Sequence, residues 1–246
     1  MTKAQIRLFQ SLSRQKYRKE YNAYLVEGDK NAKEWLQSDK KIRSIALSEA
    51  WLRANEALVG NHPEAELILC QDFELEKITS MQHAQEVVLI AEQPASPVYT
   101  PSALNWCLYL EKIQDPGNMG TIIRTADWFG IGQVICSPDC VEVYNPKVVQ
   151  ASMGSLLRTD IIIMPPEAFI AQNTLPLYVT SLSGKNIKQL GAAPCGIIAM
   201  GNESRGVSSL MAQAATLQIL IPGIGAAESL NVAVATGIIC AELILK

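Results

Sequence analysis

Hydrophobic and polar positions in the first part of the chain alternate between helical and strand-like periods. Apolar residues at helical spacing predict an amphipathic helix from Ala4 to Lys19. Short apolar runs then alternate with helical patterns. The predicted strands are 24–26, 42–47, 67–70 and 87–91, and the predicted helices are 29–37, 49–59 and 73–81. This alternation favours a small α/β domain.

A proline-rich segment interrupts the alternation. Residues 93–102 contain three prolines, which remove backbone donors and favour extended backbone, so neither a helix nor a central strand is expected there. We therefore predict a linker at 93–102 between a first domain of residues 1–92 and a second domain of residues 103–246.

The second domain shows nearly continuous apolar runs between helical patterns. The predicted strands are 106–110, 133–136, 160–163, 177–180, 196–200 and 217–220. The predicted helices are 119–129, 147–153, 166–172, 208–214 and a helix that closes the chain. Uninterrupted apolar strands alternating with helices predict a parallel sheet that is covered on both faces.

Composition indicates a soluble globular protein. The 246 residues are 48% apolar and 18% charged, which excludes disorder as a general description. The longest candidate apolar run, Val232 to Leu245, has 14 residues and contains Glu242, so it is too short to span a membrane. Six cysteines without a C-x-x-C pair predict free thiols in a reducing, cytoplasmic compartment and argue against a structural metal site.

Charge is distributed unevenly. Residues 1–19 carry six basic and no acidic side chains, whereas residues 44–100 carry two basic and nine acidic side chains. Because local charge decides which partner is contacted, the basic N-terminal arm can bind a polyanion such as RNA. The candidate RNA contacts are Arg14, Lys16, Arg18 and Lys19. A solvated helix face and an organelle transit peptide are the alternatives.

Four loops of the second domain are the places to search for a ligand site, because parallel sheets bind ligands beyond the carboxyl ends of their strands. These loops follow Leu110, Thr180, Met200 and Leu220. The G-x-G-x-x-G and G-x-S-x-G fingerprints are absent from the sequence. Residues 201–208 have the glycine spacing of a phosphate loop but carry Val207 in place of its lysine. Both histidines precede the linker, which argues against histidine-dependent nucleophilic catalysis in the second domain.

The loop after Leu110 reads DPGNMGTIIR, with Asn118 as the predicted N-cap of the following helix. Gly120 lies one turn before Arg124, so the guanidinium is expected to extend over a position without a side chain and to line a concavity. Alternatively, Arg124 only pairs with Asp127 three residues later, and the glycine only provides packing clearance.

The loop after Leu220 reads IPGIGAAESLN. Its proline and two glycines expose backbone groups, and Ser229 and Asn231 present a hydroxyl and an amide at the start of the last helix. Alternatively, Ser229 is only a helix cap. Small residues then recur every four positions, leaving a flat face for another helix or subunit: Ala233, Gly237 and Ala241.

Three segments, NMGTIIR, AMGNESRG and IPGIGAAESLNVAVA, occur in this order. They closely resemble the three motifs of the SpoU (TrmH) branch of the SPOUT RNA ribose 2'-O-methyltransferases. The ASMGS segment at 151–155 matches a fourth family segment, and residues 16–36 resemble the start of that family's N-terminal RNA-substrate-binding domain. The resemblance covers nearly the whole chain and disfavours the transit-peptide alternative.

The resemblance implies an architecture and a cofactor. We expect a C-terminal parallel-sheet SPOUT methyltransferase domain with a deep trefoil knot, preceded by a small α/β RNA-binding domain. Family members are homodimers that bind S-adenosylmethionine in the knot. By similarity, backbone groups of four residues hold the cofactor: Leu182, Gly201, Ile221 and Leu230.

The resemblance also implies an activity, the methylation of a ribose 2'-hydroxyl in structured RNA, ribosomal RNA more than transfer RNA. Five residues match the family's catalytic positions: Asn118, Arg124, Glu203, Ser229 and Asn231. A transfer-RNA methyltransferase, or a non-catalytic RNA-binding or assembly protein that retains the fold, are the alternatives. Hydrolase and dehydrogenase functions are disfavoured by the absent fingerprints.

Overall fold

The computed structural model describes residues 1–81, 85–202 and 205–245. Its helices are α1 (Lys3–Ser11), α2 (Gln15–Tyr21), α3 (Asp29–Gln37), α4 (Glu49–Gly60), α5 (Asp72–Ile78), α6 (Pro116–Trp128), α7 (Pro146–Ser152), α8 (Pro166–Gln172), α9 (Ser209–Ala214) and α10 (Val232–Ile244). Its strands are β1 (Ala23–Glu27), β2 (Ile42–Leu47), β3 (Glu66–Leu69), β4 (Val87–Glu92), β5 (Cys107–Leu110), β6 (Gln133–Cys136), β7 (Asp160–Ile163), β8 (Leu177–Asn186), β9 (Ile197–Met200) and β10 (Leu217–Leu220).

The chain forms two compact units. Met1–Ala95 and Glu142–Leu157 form the first unit, and Ser96–Val141 and the residues from Arg158 onward form the second. This division differs from the predicted one, because α7 and its flanking residues group with the first unit although they fall within 103–246. Val149 of α7 lies in the same hydrophobic core as residues of β1 and α3.

The first unit is a four-stranded sheet in the order β1-β4-β2-β3, in which β4 is antiparallel to both β1 and β2. β1 is buried along its whole length because cores lie on both faces of the sheet. In one core, the Trp35 indole N–H donates to the Tyr24 hydroxyl at 2.9 Å, which satisfies a buried polar group.

The N-terminal region folds as two helices where a single helix was predicted from Ala4 to Lys19. α1 ends at Ser11 and α2 starts at Gln15. The break is stabilised by Arg18, which is 2% exposed and donates from Nη1 to the Leu12 carbonyl at 2.8 Å. A side chain thus satisfies a carbonyl that the interrupted helix leaves unpaired.

The second unit contains a six-stranded sheet in the order β10-β8-β9-β5-β6-β7, and every neighbouring pair is parallel. This confirms the predicted parallel-sheet α/β class. β8 is longer than predicted, since it runs to Asn186 instead of ending at Thr180. Among the residues described, no helix combines the length and the apolar character needed to cross a bilayer.

Candidate active site

The four loops singled out from the sequence lie side by side. β10, β8, β9 and β5 are consecutive neighbours in a parallel sheet, so their carboxyl ends share one edge. The chain order reverses at β5, which pairs with β6 on one side and with β9 on the other. Such a reversal point is where open α/β sheets bind ligands.

The start of α6 is capped differently from the prediction. Asp115, and not Asn118, is the N-cap, and its Oδ1 accepts the Asn118 backbone N–H at 2.8 Å. Pro116 occupies the first helical position, where the missing N–H costs nothing. Asn118 is therefore the third residue of the helix, and its side chain is not the cap.

Arg124 is exposed on the third turn of α6. The structure does not support the alternative in which it pairs with Asp127, because Asp127 instead accepts Arg158 Nε at 3.0 Å and Nη2 at 2.9 Å. Gly120, one turn before Arg124, is buried.

The first and last motifs meet through two amide side chains. Asn231 is the N-cap of α10, and its Oδ1 accepts the backbone N–H groups of Ala233 and Val234 at 2.9 and 3.3 Å. Its Nδ2 donates to Asn118 Oδ1 at 2.9 Å. The cap fixes which end of the amide faces Asn118, since the oxygen is already engaged by the helix. Ser229 is exposed and lies before the cap, so it does not start the helix.

Replacing Asn231 by aspartate tests this bond without removing the cap. A carboxylate still accepts the two backbone N–H groups and suits a helix N-terminus, but it cannot donate to Asn118. We expect thermal stability to change little and the rate of the methyl transfer that the motif resemblance implies to fall about tenfold or more, because the two motifs lose their alignment. Single-turnover rates and melting temperatures measure both effects. A wild-type rate with normal stability would show that the hydrogen bond between Asn231 and Asn118 does not align the two motifs.

The loop after β9 folds back on itself, so that its two ends lie side by side. Asn202 and Gly206 form an antiparallel bridge, with N–H to carbonyl distances of 3.0 and 2.8 Å. A Cβ at Gly201 would lie 2.1 Å from the Gly206 carbonyl carbon, so only glycine fits there. Glu203, a predicted catalytic residue, lies outside the described residues.

Two contacts connect this loop to the loop after β5. Glu111 is 2% exposed, and its Oε2 accepts the Ser208 backbone N–H at 2.8 Å. Asn202 Nδ2 donates to the Lys112 carbonyl at 3.1 Å. Lys112 has a φ of 58°, which is uncommon for a residue with a side chain. The loops on either side of the reversal point are therefore fixed to each other.

The backbone of the loop after β5 also donates hydrogen bonds to side chains that follow β6. The Lys112 N–H donates to Ser137 Oγ at 3.0 Å, and the Ile113 N–H donates to Cys140 Sγ at 3.4 Å. The pKa of Cys140 is lowered to about 7, above all by the hydrogen bond from Cys136 and further by the hydrogen bonds that the sulfur accepts. The Cys140 sulfur thus holds the backbone that leads into α6.

Strands β8 and β10 approach each other unusually closely. Their register shifts between Gln218, which pairs with Val179, and Ile219, which pairs with Lys185. The five intervening residues of β8 therefore make an excursion, and this excursion contains Leu182. A Cβ on Gly184 would lie 2.7 Å from backbone atoms of Gln218 and Ile219. The absence of a side chain at Gly184 allows two backbone segments to pack directly.

Apolar side chains and accessible backbone are exposed at the edge of the sheet where the carboxyl ends of the strands lie. Leu182, Ile224 and Leu230 are 76%, 105% and 47% exposed. Ideal Cβ atoms at Gly223 and Gly225 would meet nothing within 4 Å. Exposed apolar groups around accessible backbone suit a ligand that is part apolar and part hydrogen-bonding. Ile221 is half-buried at the end of β10, and Gly201 is buried.

Sequence reasoning missed three residues that shape this site. Glu111 and Lys112 connect neighbouring loops, and Gly184 permits the close packing of β8 against β10. A carboxylate directly after a buried strand is a detectable signal for Glu111, since a charge there needs a partner. No local signal marks Gly184, because its close contacts lie more than thirty residues away in sequence.

The structure removes Arg18 from the predicted RNA contacts. Its Nε donates to Glu142 Oε2 at 2.8 Å, and its Nη2 also pairs with that carboxylate. A buried guanidinium with a carboxylate partner has a structural role. The other three predicted contacts, Arg14, Lys16 and Lys19, are exposed.

Comparison with known proteins places these features among RNA methyltransferases. Residues 105–241 match the model of the SpoU rRNA Methylase family, and residues 3–89 match that of the MRM3-like substrate binding domain. The chain is 25% identical to the 23S rRNA (guanosine(2553)-2'-O)-methyltransferase RlmP of Bacillus subtilis, with 96% of this chain and 94% of that protein aligned.

The chain is also similar to solved structures of RNA methyltransferases over nearly its whole length. A chain from Porphyromonas gingivalis assigned to the TrmH family of RNA methyltransferases is 34% identical with a TM-score of 0.87, covering 98% of this chain and 97% of that one. An AdoMet-bound rRNA methyltransferase from Sinorhizobium meliloti is 28% identical with a TM-score of 0.88, covering 98% and 94%.

Proposed function

Because the chain belongs to the SpoU rRNA methylase family, we propose that it transfers a methyl group from S-adenosylmethionine to a ribose 2'-hydroxyl of ribosomal RNA. The observation that carries this proposal is the hydrogen bond between Asn231 and Asn118, which joins the first and last motifs at one edge of the sheet. Full-length similarity to a 23S rRNA methyltransferase supports ribosomal RNA as the substrate.

The residues at the sheet edge fit the cofactor. Backbone groups of Leu182, Gly201, Ile221 and Leu230 would hold it, and the exposed side chains of Leu182 and Leu230 would cover its apolar parts. The open positions at Gly223 and Gly225 leave room for close approach. When bound, S-adenosylmethionine supplies an electrophilic methyl group on a positively charged sulfur.

Arg124 acts by charge and geometry. The attacking 2'-hydroxyl loses its proton and develops negative charge on oxygen. A guanidinium remains protonated in proteins, so it stabilises that charge or grips the adjacent phosphate and does not act as the base. Its exposure on α6 leaves it accessible to a large substrate such as RNA.

The remaining motif residues orient the reactants. Asn118, Ser229 and Asn231 position the ribose, and correct positioning of two reactants contributes about 7–11 kcal/mol to lowering the barrier. We assign Glu203 by its motif position to orienting Arg124 or to accepting the proton. The buried Glu111 holds Ser208, at the start of α9, through the Ser208 backbone N–H.

A trefoil knot in the second unit is part of the proposal. It rests on the family, and the close packing of β8 and β10 is compatible with it, since an excursion in β8 packs backbone to backbone against β10 at Gly184. The proposed knot would place the cofactor-binding residues Leu182 and Ile221 near each other.

The last helix supports a homodimer. One side of α10 is buried, whereas Val234, Ala241 and Leu245 are exposed on the other. An exposed apolar helix face is stabilised by a partner, and we propose that a second copy of the chain provides one.

Replacing Ala241 by glutamate is expected to convert the dimer to a monomer, because a charge in the interface lacks a partner. Light scattering after gel filtration should give twice 26.9 kDa for the wild type and 26.9 kDa for the variant. Ala171→Glu places the same charge on an exposed position of α8 and should remain dimeric. A monomeric wild type would contradict the dimer.

The activity is tested with methyl-labelled S-adenosylmethionine and total RNA from a strain that lacks the protein. Label should enter ribosomal RNA and survive alkaline hydrolysis in a dinucleotide, because 2'-O-methylation blocks cleavage at that phosphate. RNA from the parent strain is already modified and should accept little label. Label in transfer RNA would overturn the ribosomal assignment, and cofactor binding without labelling of any RNA would identify a non-catalytic protein.

A further inference from the structure

A groove between α1 and α2 combines arginines with aromatic rings. Its volume is about 720 Å³, and it is open to solvent. Its lining includes Arg7, Arg14, Tyr17 and Tyr21. Both arginines are exposed, and the charged side chains of residues 1–19 are all basic, whereas the next residue, Glu20, is acidic and exposed.

The two tyrosines form a stacked pair. Their ring centroids are 6.2 Å apart with an interplanar angle of 16°, and Tyr21 is 40% exposed. Lys16 Nζ lies 5.7 Å from the centroid of the Tyr17 ring. The residue pair thus offers a flat, preorganised aromatic surface with positive charge beside it.

The groove keeps its shape through the buried Arg18. This residue bonds the Leu12 carbonyl in the turn between the helices and pairs with Glu142 of the same compact unit. The angle between α1 and α2 is therefore fixed by a buried ion pair and not by the exposed arginines, which leaves Arg7 and Arg14 available for a ligand.

We propose that this groove binds an unpaired segment of the RNA substrate, with phosphates at Arg7 and Arg14 and a base stacked on the tyrosine pair. Arginines beside stacking surfaces are the chemistry of single-strand recognition, and bases within a duplex cannot reach an aromatic ring. The inference rests on the proposed function in that RNA is the substrate, but it concerns a surface separate from the motif residues.

Binding of a fluorescein-labelled, mixed-sequence, unpaired RNA of ten nucleotides tests the groove directly. Fluorescence anisotropy with the full-length protein should show about tenfold weaker binding for Tyr21→Leu, because one stacking contact is lost. Tyr21→Phe retains the ring and should bind within twofold of the wild type. Phe73→Leu removes an exposed aromatic ring elsewhere in the same unit and serves as the matched control.

The salt dependence of RNA affinity tests whether Arg7 and Arg14 contact phosphates. Arg7→Gln and Arg14→Gln should each reduce the slope of log affinity against log salt by about 0.7, the value for one phosphate of a single strand. Arg53→Gln removes an exposed positive charge from α4, where Arg53 pairs with Glu49, and should leave the slope unchanged. Tyr21→Leu should weaken binding without altering the slope.

Two results would contradict the proposal that the groove binds unpaired RNA. One is wild-type affinity for Tyr21→Leu with an unchanged melting temperature. The other is equally tight binding of a blunt RNA hairpin with the same number of phosphates. Because the oligonucleotide assay needs neither cofactor nor methyl transfer, it separates the two proposals. Binding at the groove without methylation of any RNA refutes only the proposed activity, whereas methylation with unaffected Tyr21→Leu binding refutes only the groove.

Discussion

Replacing Arg124 by lysine should lower the rate of methyl transfer by about 10²–10³-fold, the effect of losing one preorganised donor to a developing oxyanion. Lysine retains the positive charge but not the planar fork that engages two oxygens at once. Since Arg124 is exposed and Asp127 pairs with Arg158 instead, the substitution breaks no ion pair with Asp127, and folding should be preserved. Single-turnover kinetics with labelled cofactor measure the effect.

The two roles open to Arg124 separate in the kinetic constants. If it stabilises the alkoxide, kcat falls and KM for RNA is unchanged; if it grips a phosphate, KM also rises. Arg158→Lys makes the same substitution in the second unit outside the motifs and should retain its ion pair and activity within twofold. A wild-type rate for Arg124→Lys would show that the bidentate geometry is not used.

Much of the fold was predictable because the elements have strong local patterns. α3 and β2 were predicted to the residue. β2 is mostly apolar and almost wholly buried, and α3 presents a buried face that includes Trp35. The cap at Asp115 could also have been predicted, since an aspartate followed by proline is a typical helix start. The prediction that Asn118 is the N-cap is therefore wrong.

The errors arose where distant residues decide local structure. The break between α1 and α2 depends on Arg18 and its partner Glu142, which is 124 residues away. The bond between Asn118 and Asn231 spans 113 residues and follows from the order of the strands. Periodicity identified the loops, but the resemblance to a known family was needed to combine their residues into one site.

Replacing Gly184 by alanine should destabilise the second unit and disrupt the site together. Its Cβ would lie 2.7 Å from backbone atoms of Gln218 and Ile219, which cannot move aside as a flexible side chain can. We expect a loss of about 2 kcal/mol in the free energy of unfolding, or about 4–8 °C in Tm. Displacement of the segment that contains Leu182 should also lower the methyl-transfer rate about 10²-fold.

Gly191→Ala is the matched control, because a Cβ there would meet nothing within 4 Å and its φ is not positive. Both variants gain one methyl group and lose the same freedom in the unfolded chain, so their difference isolates the contact with β10. Calorimetry measures the Tm of both variants, and titration with S-adenosylmethionine measures their cofactor affinity. If Gly184→Ala matched Gly191→Ala in Tm and in cofactor affinity, β8 and β10 would not pack backbone to backbone, and the proposed knot would lose its structural support.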